Sequence, residues 1–87
     1  MPYETDEIIG RALMTNHGAI MGTIKQALFD TDTGKPSHLI IHPTLDVNAQ
    51  MYHLTPKGDI VVPYGQVTRV KNVMIFEEKT NEKDPLN

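Results

Sequence analysis

The residues of this 87-residue chain that could do chemistry are few and widely spaced. Asp30, Asp32 and Gly34, at alternate positions, look like the opening of a calcium loop. An EF-hand would also need an oxygen ligand where Gly34 stands, a glycine where Lys35 stands and a bidentate glutamate where Ile41 stands. None is present, so the segment reads as a turn whose aspartates bond nearby backbone N–H groups. His38 and His42 share one face of a strand, but at ~3.3 Å per residue they lie roughly 13 Å apart. A single ion with ligand bonds of about 2 Å does not hold both. His17 falls in a turn and His53 in a long connection, so no metal site is expected. Ser37 is the only serine and sits in no nucleophile elbow, and cysteine is absent. A nucleophile needs a positioned base and an oxyanion donor, and neither accompanies it. The glycines at 10, 18, 22, 34, 58 and 65 are dispersed and build no phosphate loop. The chain is therefore expected to be no enzyme and to carry no cofactor.

Composition agrees with one small domain. Apolar residues make up 39% and charged residues 22%, enough for one core and too little charge for a disordered chain. Without cysteine there is no disulfide framework, so stability must come from the core or from a partner subunit. The formal net charge of −3 is concentrated in acids near both ends, while the body holds a small excess of scattered bases. Nucleic-acid binding calls for a dense basic face, which scattered bases do not make. No apolar run approaches the ~18 residues of a membrane span. The opening Met1-Pro2-Tyr3-Glu4 lacks the basic and apolar regions of a secretory leader, so the expected location is cytoplasmic.

Short strands separated by turn residues dominate the pattern. Thr5 to Gly10 reads as one helical turn, favoured by Asp6 and Glu7 near its positive end and closed by Gly10. Ala12–Met14 is a strand, and Asn16 and Gly18 suit a hairpin turn. In the long strand Ala19–Phe29, the residues Ile20, Gly22 and Ile24 share one parity, and Ala27 and Phe29 the other. A bulge near Gln26 would keep both sets facing inward. Gly22 marks a bend or a close approach. Ser37–His42 is the next strand, ended by Pro43. Residues 43–59 form one long irregular connection, which is either functional or a flap over an open end of the sheet. Ile60–Val62 is a strand stopped by Pro63, Tyr64–Val67 a helical turn, and Thr68–Val70 and Val73–Phe76 a hairpin about Lys71-Asn72. Such a run predicts a small antiparallel barrel or sandwich.

The order of these pieces resembles a known family. Ile9-Gly10-x-Ala12-Leu13 is followed by Asn16-x-Gly18-x-x-Met21-Gly22-x-Ile24, Leu28-Phe29-Asp30, Thr33-Gly34-Lys35 and Leu39-Ile40-Ile41. Then come Val62-Pro63-Tyr64-x-x-Val67 and Val70-Lys71-Asn72-Val73-Met74-Ile75. The set is similar to the PRC-barrel family, named for the cytoplasmic domain of the photosynthetic reaction-centre H subunit. The resemblance implies an all-β fold, a small six-stranded antiparallel β-barrel with one or two short helical turns. Residues 1–8 would be a lead-in, 9–78 the barrel domain and 79–87 a flexible charged tail. It further implies a non-enzymatic protein–protein adaptor. The chain looks most like stand-alone archaeal members that dimerise and connect to SepF, the membrane anchor of the FtsZ division ring. The implied partners are SepF or a second PRC-barrel protein, with recruitment to the division site. A ribosome-maturation or RNA-associated module is the alternative that the family also implies.

Two surfaces stand out for partners. Met51, Tyr52, Leu54 and Tyr64 are large apolar groups in turn-like, polar segments, where tyrosine and methionine suit an interface. Val73, Met74, Ile75 and Phe76 are apolar on both parities, so one parity can face the core and the other a second copy in a homodimer.

Overall fold

The computed structural model describes residues 4–78. The element order is α1 (Glu4–Ile8), β1 (Ala12–Thr15), β2 (Ile20–Phe29), β3 (Pro36–Pro43), a 3-10 turn at Ala49–Met51, β4 (His53–Leu54), β5 (Ile60–Pro63), a 3-10 turn at Tyr64–Gln66, β6 (Val67–Val70) and β7 (Val73–Phe76). All seven strands belong to one sheet in the order β4-β5-β3-β2-β1-β7-β6. Among the described residues no helix is long and apolar enough to cross a membrane.

This corrects the expected six-stranded antiparallel barrel in three respects. There are seven strands, because the turn at 55–58 folds His53–Leu54 back onto the free edge of β5. One pairing is parallel: Leu13, Met14 and Thr15 of β1 face Met74, Ile75 and Phe76 of β7. Parallel partners need a long crossover, and nearly the whole chain lies between these two. The sheet also stays open, with β4 and β6 at its edges.

The ten-residue β2 is the spine, pairing with β1 on one side and β3 on the other. Its register slips between Ile24 and Gln26, leaving Lys25 as the extra residue, so the bulge expected there is present. A second slip places Met21 between the Leu13–Gly22 and Met14–Ile20 pairs. Met21 therefore turns inward and is fully buried, while Ile20, expected inside, is 52% exposed. Ala27 packs against the core as expected. Phe29 does not: a further slip between Leu28 and Phe29 leaves it exposed near the hairpin end.

The inner face carries the core. Ile8 from α1 joins Leu13, Met21, Ile24, Leu39, Ile41, Ile60, Val62, Met74 and Phe76, all buried. The helix is thus part of the packed domain, with Thr5 also buried. Two arginines fasten it to the last hairpin. Arg11 donates to the Glu7 carbonyl at 3.0 Å and the Asn72 carbonyl at 3.2 Å, and Arg69 reaches the Glu7 carboxylate at 3.2 Å. The expected charged tail at 79–87 lies outside the described residues.

Gly22 sets the spacing of β2 and β3. A Cβ there would stand 2.1 Å from the His42 carbonyl oxygen and 2.9 Å from Pro43 Cα. Both atoms are backbone, so relief requires moving a strand. Gly22→Ala is expected to cost about 3 kcal/mol, lowering the melting temperature by roughly 15 °C in a domain of this size. Thermal unfolding checks this, and a wild-type melting temperature contradicts it.

Candidate functional site

The connection between β3 and β5 holds most of the residues expected to meet a partner, and the structure divides them. Met51, at the end of the first 3-10 turn, is 73% exposed. Leu54 is exposed on the two-residue edge strand β4. Leu45, not singled out from the sequence, is fully exposed earlier in the same connection. These three leave large apolar surface uncovered within ten residues of chain.

Tyr52 and Tyr64 behave differently. Both are half-buried and pack against the core cluster, along with Val47 and Ala49. The Tyr52 ring meets Phe76 of β7 edge-on, with centroids 6.3 Å apart and planes at 70°. Such edge-to-face pairs add about 1 kcal/mol beyond burial. The Tyr52 hydroxyl donates to the Glu78 carboxylate. Burial first, then the bond to Glu78, pushes the Tyr52 phenol up to about 12. His17 Nε2 lies 3.8 Å from the other Glu78 oxygen, and Asn16 Oδ1 accepts from the Glu78 N–H at 3.0 Å. Tyr52 therefore ties the connection to the far end of the sheet. The connection is both things at once: its aromatic residue is a flap, and its aliphatic residues face solvent.

The last strand resolves in the same way. Met74 and Phe76 are 5% and 6% exposed and belong to the core, so they cannot reach a second copy. Val73 and Ile75 take the opposite parity, with Val73 exposed and Ile75 half-buried. The strand's backbone is not free either, since β7 lies between β1 and β6.

A charged cluster marks the outer face near the bulge. Asp59 is nearly buried and pairs with Lys25 Nζ at 2.9 Å and His42 Nδ1 at 3.3 Å. Its own N–H donates to Thr55 Oγ1 at 3.1 Å. The Lys25 bond is the main reason the Asp59 carboxyl lies below the usual carboxylate range. Beside it runs a shallow groove lined by Leu28, Ile40, Pro56 and Lys57. The sequence hid this cluster because its members are up to 34 positions apart. The cluster fastens the bulged spine to β3 and β5. Among the described residues no group of three or more His, Asp or Glu side chains could hold a metal ion. The Asp30 turn is built as read: Asp30 Oδ1 accepts from the N–H groups of Asp32 at 2.7 Å and Thr33 at 3.0 Å.

The PRC-barrel domain family matches this sequence over residues 3–82. No curated protein matches the chain.

Two outcomes follow. Tyr52→Ala is expected to destabilise the domain by about 3 kcal/mol, and Tyr52→Phe by about 1 kcal/mol, in urea unfolding. Equal losses for both variants would show that the ring contributes nothing beyond its hydroxyl. For Asp59, the folded carboxyl is the stronger acid, so its stabilisation is present above about pH 4 and lost as pH falls through the folded value. Asp59→Asn should therefore be less stable than wild type at pH 7, with the gap closing below about pH 3. A gap that stays constant with pH contradicts the ion-pair account.

Proposed function

The chain belongs to the PRC-barrel family, and from that premise we propose that it is a non-enzymatic adaptor that binds another protein through the connection at 43–59. The observation that carries this reading is the exposure of Leu45, Met51 and Leu54 on one segment whose other large residues are turned into the core. A segment anchored at Tyr52 holds its exposed aliphatics in a fixed place before any partner arrives. A partner then loses little to ordering the surface it meets. Apolar groups presented on a pre-formed surface are the usual centre of a protein-binding hot spot. The adjacent edge strand β4 offers unpaired backbone groups to an extended segment of the partner.

The specific setting we propose is archaeal cell division, with the chain linking to SepF and so to the FtsZ ring. This part rests on the family resemblance alone. Binding to the SepF of the same cell tests both levels. Wild type is expected to bind, and the Leu45→Asp/Met51→Asp variant to bind at least thirtyfold more weakly with an unchanged melting temperature. Absence of wild-type binding contradicts the division role. Wild-type affinity in the double variant contradicts the site.

A further inference from the structure

The outer face of the sheet is divided in chemistry. Its β3–β5 half carries His38, His42, Lys25 and the Asp59 cluster. Its other half carries no charge at all. Across the strands β6-β7-β1-β2, the outward residues form two rows. One row is Thr68, Ile75, Met14 and Ile20, matched by the Thr68–Ile75, Ile75–Met14 and Met14–Ile20 pairings. The other is Val70, Val73, Ala12 and Thr23, in which Val70 pairs with Val73 and Ala12 with Thr23. Ile20 and Val70 are each 52% exposed, and Val73 is exposed as well. The slip at Met21 is what puts Ile20 there, at the end of the first row. A solvated antiparallel face ordinarily alternates to polar residues on its outer side. This half does not.

The charges that border the face lie at opposite ends of it. Lys71 stands in the hairpin turn just before Val73. Glu77 is exposed and continues the outward alternation of Val73 and Ile75 at the other end of β7. Among the described residues neither side chain has an ion-pair partner. Six residues of strand separate them by roughly 20 Å.

We propose that this uncharged face binds a second copy of the chain, with the two β7 strands crossing antiparallel. Two-fold pairing sets each residue of the face against the same face of its partner, so a charge near the axis would meet its own kind. A charge-free face meets that requirement. A two-fold axis lying across the strands carries the Lys71 end of one copy over the Glu77 end of the other, making two opposite-charge contacts at the rim. The alternative axis, along the strands, would set Lys71 against Lys71 and Glu77 against Glu77. Face-to-face sheets pack about 10 Å apart with their strands within roughly 30°, which places the rim side chains in reach of each other. A four-strand patch is smaller than the interface of an obligate dimer, so the pairing is reversible, with dissociation in the micromolar range. This face is separate from the connection at 43–59, and a dimer leaves both copies of that connection open.

Sedimentation equilibrium of the full chain between about 1 and 500 µM tests the proposal, without any partner protein. Wild type is expected to pass from monomer to dimer across that range. Val73→Asp raises the dissociation constant at least thirtyfold. Thr68→Asp, a polar-for-polar change on the same face, has the same direction of effect if Val73→Asp fails to fold. Lys71→Glu and Glu77→Lys each weaken pairing about fivefold, and the two together restore it. Wild type that stays monomeric at 500 µM overturns the proposal. Dimers untouched by a folded face variant overturn the choice of face. Failure of the double exchange to restore pairing overturns the antiparallel arrangement. None of these results bears on binding through residues 43–59, which a monomer could still perform.

Discussion

At Gly22 the backbone of β3 lies where any side chain would stand, and the rest of the sheet is arranged around that approach. The residue faces Leu13 of β1 on one side and Pro43 of β3 on the other. It is therefore the point at which a single strand serves both halves of the sheet. Flanking slips at Met21 and Lys25 bend β2 on either side of it. Bulges raise local twist, and a strongly twisted sheet can curl around one core without closing. The consequences are chemical as well as geometric. One slip turns Met21 in and Ile20 out. The other aims Lys25 at Asp59.

An open sheet of this size has two problems, an incompletely covered inner face and two free edges. The chain covers the inner face with its own segments. Ile8 comes from α1, and Tyr52 comes from the 43–59 connection to lie edge-on against Phe76. Because those anchors are internal, the remaining aliphatics of the connection are left for solvent or a partner. This division of labour within ten residues is the physical basis for reading the molecule as an adaptor: what stabilises the segment is distinct from what it displays.

Much of this was legible in the sequence, and the failures have specific causes. Turn chemistry located the hairpins, since Gly18 and Lys71 both adopt the positive φ their turns require. The change of parity after Ile24 revealed the bulge. The strand β4 was missed because two residues carry no periodicity, and its existence depends on the return turn at 55–58. The parallel β1–β7 pair has no local signal, as it joins the two ends of the chain. The orientation of β7 could not be read because Val73–Phe76 is apolar on both parities. That ambiguity is itself informative, for one parity fills the core and the other belongs to the uncharged outer face. Tyr52 could not be assigned to flap or interface from sequence, since either role calls for a large aromatic with a polar tip. Its partners, Phe76 and Glu78, lie more than twenty residues away.

The central claim is that recognition sits on an anchored connection while the sheet beneath it is complete without a partner. Amide hydrogen exchange on the chain, alone and with SepF bound, measures this most directly. The account predicts strong protection of β2, β3 and β7 in both states, with new protection on binding confined to residues 44–54. Protection that appears on binding within β2, β3 or β7, with none gained at 44–54, would contradict it.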